Sequence, residues 1–324
     1  MIIFGVISAN RRVFCTALVL AIIAALIPGL LGFSAEASGP QEITDDLGEV
    51  IKLRESPERI VSLAPSLTEM LYGIGLGDKV VGVTEVCDHP EDMLAEVEEG
   101  KVDTIGTTVD PNIEKIVELQ PDLIMAAGIN PVEDIIRLRE LGLVVAGFDP
   151  SDLESTFSVI ERTGKMTGYR ETTSEISEEM QDKLNKIEEL VAGREKSPGV
   201  FYEIWSEPLQ TAGADTFIDD LIERAGGINV GAEAGSGWPQ FNLEKLLLAD
   251  PEVYISTPHS GENNVSVEGI KNREHFSALT AVQEGRVHMV DQDRLSRPGP
   301  RVIDGLKELV GAVHPQLTDE LEDI

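Results

Sequence analysis

Glu171-Thr-Thr-Ser-Glu-Ile176-Ser-Glu-Glu-Met180-Gln-Asp-Lys-Leu184-Asn-Lys-Ile187-Glu-Glu-Leu190-Val191 is the stretch on which the fold turns. Its apolar residues recur every three or four positions with charged and polar residues between them, the pattern of one buried face on a helix. At the rise of an α-helix the segment is about 30 Å long, which is long for a globular protein. Residues 151–194 read as helical throughout, apart from a break near Gly164 and Gly168. A rod of this length between two regions of another character is a strut rather than a crossover.

On its N-terminal side, strands and helices alternate. Residues 59–63, 80–83, 123–125 and 143–145 are short apolar runs that read as buried strands. Residues 66–72, 113–119 and 132–141 have helical spacing, the first expected to start at Ser66 or Thr68 and to stop at Gly73 and Gly75. The alternation resumes after Pro198, with strands at 200–204, 253–255 and 287–290 and helices at 216–225 and 301–313. Such alternation implies parallel βαβ units. The two regions also repeat: Asn112-Ile-Glu114-Lys115-Ile-Val-Glu-Leu-Gln-Pro121-Asp-Leu-Ile124 matches Asn242-Leu-Glu244-Lys245-Leu-Leu-Leu-Ala-Asp-Pro251-Glu-Val-Tyr254 without a gap. The reading is an α/β protein of two Rossmann-like lobes, residues 38–150 and 198–315, joined by a linking helical segment at 151–197, with an acidic tail at 316–324. The ligand cleft is expected between the lobes, where domain interfaces favour binding.

The formal charge is −32 over 324 residues. Such a surface repels nucleic acid and anionic lipid and argues against binding either. Arg11 and Arg12 precede an uncharged run at 13–35 that is broken by Pro28, Gly29 and Gly32, and Ala35-Glu36-Ala37 follows as a small-x-small site. This reads as a signal peptide at 1–37, cleaved near Ala37, and predicts export to the periplasm or the outer face of the cytoplasmic membrane. A retained membrane anchor is the alternative, since an uncharged run of this length can span a bilayer. Cleavage leaves Cys87 as the one cysteine, so no intramolecular disulfide forms and stability must come from burial.

No reaction chemistry emerges. The five histidines, His89, His259, His275, His288 and His314, are scattered without metal-ligand spacing. There is no Gly-x-Ser-x-Gly elbow and no Walker loop. Gly73-Ile-Gly75-Leu-Gly77 follows a helix and precedes a strand, the wrong order for phosphate binding. No catalytic residue, metal site or cofactor is expected.

Arg59-Ile-Val-Ser-Leu-Ala-Pro65-Ser-Leu-Thr68-Glu69 and Val81-Gly-Val-Thr-Glu-Val-Cys-Asp88-His-Pro90 resemble the opening of solute-binding proteins for vitamin B12 and iron–siderophore chelates. Gln120-Pro121-Asp122, Gly237-Trp238-Pro239-Gln240 and Arg297-Pro-Gly-Pro300-Arg301 extend the resemblance over about residues 57–314, and the last two lean towards the cobalamin branch. It implies two lobes bridged by a long helix with little hinge motion, and a monomer that delivers cobalamin, or a related corrinoid, to the permease dimer of an ABC importer. A ferric siderophore or haem ligand is the alternative within the class. A membrane-anchored sensor domain or a metal-dependent enzyme is the alternative outside it.

The resemblance makes Trp238, in a Gly-rich loop, a platform for the corrin face. Trp205, at the end of the strand at 200–204, is a second cleft candidate. Asp293 and Arg297 match a polar pair over the corrin amides. Relatives often carry tyrosines in the loop where this chain has Val86 and His89 instead, and Asp88 and His89 of this loop are candidate contacts. Ile105 stands about where some relatives have a Trp. Glu114 and Glu244 occupy equivalent places in the repeat, and their matches in the family meet arginines on the permease.

Overall fold

Arg170–Ala192 is one uninterrupted helix of 23 residues, about 34 Å long. Its buried positions are Thr173, Ser177, Met180, Leu184 and Ile187, a stripe that alternates steps of four and three. The computed structural model describes residues 41–194, 197–258 and 265–324. The signal-peptide expectation at 1–37, together with Cys15 and His259, lies outside the described residues. No helix among the described residues is long and apolar enough to cross a membrane.

The helix before the strut, Leu153–Thr167, begins at a capping box in which Asp152 and Ser155 exchange side-chain and backbone hydrogen bonds, and ends at Gly168 with φ 87°. A Cβ at Gly164 would collide with the side chain of Thr173. Glycine therefore lets the two helices cross closely, and this is why Thr173 is buried where periodicity alone favours Ile176.

The N-terminal sheet holds five parallel strands: β3 (Ile60–Ser62), β4 (Val80–Val83), β5 (Asp103–Thr104), β6 (Leu123–Ala127) and β7 (Val145–Phe148), in the order β5-β4-β3-β6-β7. It is preceded by a small antiparallel pair, β1 (Ile43–Thr44) and β2 (Val50–Ile51). Strands buried on both faces read as continuous apolar runs, and all residues of β3 and β7 are buried. The second sheet places β10 (Ile228–Asn229), β8 (Gly199–Ser206), β11 (Val253–Ser256) and β12 (Val287–Met289) in parallel, with β9 (Leu209–Thr211) antiparallel on β8. In both sheets the order reverses around the first strand, between β3 and β6 and between β8 and β11. The repeated segments supply β6 and β11, which occupy the same place in their sheets.

One apolar cluster runs through both lobes, from Ile60 and Leu123 through Ile160, Met180 and Leu184 to Val200, Ile255 and Val310. The lobes are thus joined by shared packing as well as by covalent linkage. Within the acidic segment at 316–324 lies a short helix, Thr318–Glu322, held by buried Leu317 and Leu321. The first helix also starts differently from expectation. Pro65 is at its first position and Ala64 caps it without a side-chain bond, so neither Ser66 nor Thr68 is the start signal.

His314 lies buried at the end of the helix Val302–Val313. Burial, aided by the charges of Arg194 and Arg286, lowers its pKa below the ordinary 6.5. Its contribution to stability is therefore full above the unfolded-state pKa and is lost as the pH falls through the folded one. His314→Gln is expected to narrow the difference in urea midpoint between about pH 7.5 and about pH 5; an unchanged difference would remove His314 as a source of acid sensitivity.

Candidate functional site

Parallel strands release their loops at one edge, and at the point where strand order reverses the loops diverge and leave a crevice. Here a cavity of about 930 Å³ opens at that edge. Ala64, Pro65, Ser66 and Leu67 line it after β3, with Glu85, Val86 and Asp88 after β4 and Thr108 after β5. Ala127, Gly128 and Ile129 contribute at the end of β6, and Phe148, Asp149 and Pro150 at the end of β7. The other lobe supplies Pro258 after β11 and Asp291, Gln292, Asp293, Ser296, Arg297 and Pro298 after β12. The lining combines apolar residues with polar and charged ones.

Asn130 fixes the N-terminal loops. Its side-chain oxygen accepts from the Ala127 amide at 2.7 Å, and its nitrogen donates to the Leu63 and Thr108 carbonyls, both at 2.8 Å. On the opposite wall, Asp291 caps the short helix Gln292–Ser296 by accepting from the amides of Asp293 and Arg294.

Arg297 crosses from one lobe to the other. It reaches Glu69 at 2.8 Å, Asp88 at 2.5 Å and, within its own element, Asp293 at 2.7 Å. Arg301 adds two hydrogen bonds to Glu69, at 2.8 and 2.6 Å. The Glu69 side chain is 3% exposed, so a buried carboxylate sits between two guanidinium groups. Partial burial pushes the Asp88 carboxyl up, but the hydrogen bond and charge of Arg297 outweigh it and hold the pKa below the ordinary value. Burial, with the charges of Asp88 and Asp291, raises that of Asp293 in spite of Arg297. Burial likewise raises the Cys87 thiol, against hydrogen bonds from Thr68 and Thr84.

The fold therefore brings together three of the expected residues: Asp88, Asp293 and Arg297. His89 is in the same loop but is not among the lining residues. Trp205 and Trp238 are 41% and 49% exposed and also lie outside the lining. Trp205 stands towards the edge that carries the cavity. Trp205 is near the carboxyl end of β8, and the Trp238 loop is laid beside residues 211–214 by hydrogen bonds such as Gly213 N–H to the Gly237 carbonyl at 2.8 Å. Ile105 is fully buried in the N-terminal core, so it offers nothing to the cleft. Glu114 and Glu244 are exposed, each in the first turn of a helix capped by an asparagine: Ile113–Glu118 by Asn112 and Leu243–Ala249 by Asn242. Among the described residues no group of three or more His, Cys, Asp or Glu side chains is arranged to hold a metal ion.

Sequence reading missed Glu69, Glu85, Asp149 and Asn130. Glu69 did leave a signal. It stands among Leu67, Met70 and Leu71 on a helix with little room for solvent, and a carboxylate there requires a partner.

The model of the periplasmic binding protein family matches residues 60–293. An ABC transporter substrate-binding lipoprotein of Bacillus subtilis is 30% identical over 288 residues, covering 87% of this chain and 88% of the relative. A vitamin B12-binding protein of Vibrio cholerae is 31% identical over 254 residues, covering 78% and 87%. The crystal structure of a periplasmic vitamin B12 binding protein of the same species has a TM-score of 0.69 at 27% identity, covering 80% of this chain and 97% of the other. A possible iron-binding periplasmic solute-binding protein of Staphylococcus epidermidis gives 0.69 at 30%, covering 80% and 100%. The match enters at β3, passes through both sheets and ends in the short helix on the far wall of the cavity, and on this ground the chain belongs to the periplasmic binding protein family.

Proposed function

We propose that the protein is exported by its N-terminal segment, binds a corrinoid such as cobalamin between its lobes, and delivers it to the permease dimer of an ABC importer. The cavity carries the reading. Its volume of about 930 Å³ suits a large ligand with apolar faces, and the lining side chains of Asp88, Asp293 and Arg297 suit peripheral amides. The vitamin B12-binding relative supports the same ligand. The role is carriage, with no catalytic step. Calorimetric titration with cyanocobalamin, cobinamide and ferric chelates tests it: one-to-one binding of a corrinoid is expected, and a ferric chelate bound in its place overturns it. A ferric siderophore or haem is the second reading, favoured by the Staphylococcus epidermidis neighbour.

Trp238 and Trp205 are proposed as aromatic contacts that a large ligand reaches beyond the cavity itself, with His89, in the loop of Asp88, as a further contact. Trp238→Ala is expected to weaken corrinoid binding by about 1–3 kcal/mol, the scale of losing a buried aromatic's area. Unchanged affinity in the titration would return Trp238 to an exposed loop anchor.

Glu114 and Glu244 are proposed as the docking carboxylates for the permease, one per lobe. Each opens a helix that starts from the strand edge bearing the cavity, so a partner set over the cleft meets both. Single exposed charge pairs contribute about 0–1 kcal/mol, so Glu114→Arg and Glu244→Arg should each weaken transporter affinity modestly. The double variant should weaken it more, with ligand binding by the free protein retained. Intact docking of the double variant would leave the glutamates as helix-end stabilisers.

A further inference from the structure

Charge in the cleft is one-sided. Five carboxylates, those of Glu85, Asp88, Asp149, Asp291 and Asp293, line the cavity against the single guanidinium of Arg297. Over the whole chain the ratio is 58 acids to 26 bases, so the cleft is more acidic than the protein's average. The guanidinium is also committed, since Glu69, Asp88 and Asp293 all hold it. Asp291 pairs with Arg294 at 3.2 Å. Among the described residues, Glu85 and Asp149 have no cation within ion-pair distance. The Asp149 carboxylate is packed over the Gly128 backbone, in the space a Cβ would take, which holds it at the wall.

We infer that the cleft selects its ligand by charge, accepting a neutral or cationic, amide-bearing macrocycle and rejecting chelates that carry carboxylate or catecholate charge. The chemistry follows from the donor count. Ionised carboxylates only accept hydrogen bonds, and amide N–H groups are donors without negative charge. A ligand carboxylate brought beside Glu85 or Asp149 finds like charge and no free cation, an arrangement that penalises the wrong ligand. The apolar lining residues meet the ring faces and take no part in this discrimination. The inference rests on the corrinoid reading for its ligand, but its charge rule can be measured apart from it.

The test uses the full chain in non-ionic detergent and ligands matched in all but charge. Cyanocobalamin is compared with its monocarboxylic acids, in which one peripheral amide is hydrolysed and the ring and axial cyanide are kept. At low salt the acids are expected to bind about tenfold more weakly, and the gap should close near 1 M salt, where screening acts within about 3 Å. Glu85→Gln with Asp149→Asn should reduce the gap to about twofold. Equal affinities, or a gap that the double variant leaves intact, overturn the charge rule while the corrinoid reading stands. Haem and its diamide form a second matched pair: tighter binding of haem overturns the rule, and tighter binding of the diamide supports it whether or not corrinoids bind. Binding of neither pair overturns both readings.

Discussion

Glu69→Ala is expected to lower the unfolding free energy by about 3–5 kcal/mol, the scale for removing one partner of a buried charge cluster. Arg301 has both its guanidinium hydrogen bonds on this carboxylate, and Arg297 uses it to reach from one lobe to the other. Without it, two largely buried cations face each other with only Asp88 and Asp293 to offset one of them. Glu69→Gln separates charge from shape. It keeps the volume and an acceptor, so a loss nearly as large would assign the effect to charge. Urea unfolding of the two variants reads the difference, and wild-type midpoints for both would remove the cluster from the stability of the fold.

Arg273→Ala is expected to cost a similar amount, about 3–5 kcal/mol. Glu203 lies on β8 with a fully buried side chain. It accepts hydrogen bonds from Arg273 and from the Tyr254 hydroxyl, and Ser256 approaches it at 3.3 Å. Once Arg273 is lost, the remaining partners are neutral and the carboxylate is stranded in the second sheet. Replacing Glu203 and Arg273 together by leucine should recover much of the loss, because an apolar pair leaves no unpaired charge. If the double variant is no better than Arg273→Ala alone, the penalty comes from packing around Phe276, which Arg273 also covers.

The architecture was legible because its strongest signals are local. The buried parallel strands are unbroken apolar runs, and the strut shows its stripe over several turns. The expectation of two α/β lobes joined by a long helix agrees with the observed fold. What was illegible is short or decided by distant packing. β5 has two half-buried polar residues, Asp103 and Thr104, which carry no strand signal. The β1–β2 pair hides in a polar lead-in because only Ile43 and Ile51 turn inwards. For the cleft, Asp88, Asp293 and Arg297 stood in recognisable segments. Asn130 and Asp149 did not, since a side chain that ties three loops together looks like any other loop residue until those loops are brought to one edge. Glu69 and Arg297 are 228 positions apart, and no spacing rule connects them.

The core shared by the two lobes has a consequence for traffic. A carrier that closes on its cargo advertises its load by changing shape, and a transporter can ignore the empty form. Here the apolar cluster that runs from Ile60 through Leu184 to Val310 makes any large opening costly, so on the function proposed above loaded and empty molecules would present nearly the same outline. Empty carriers would then compete with full ones for the same dock, and the work of prising out the cargo would fall to the machine that receives it.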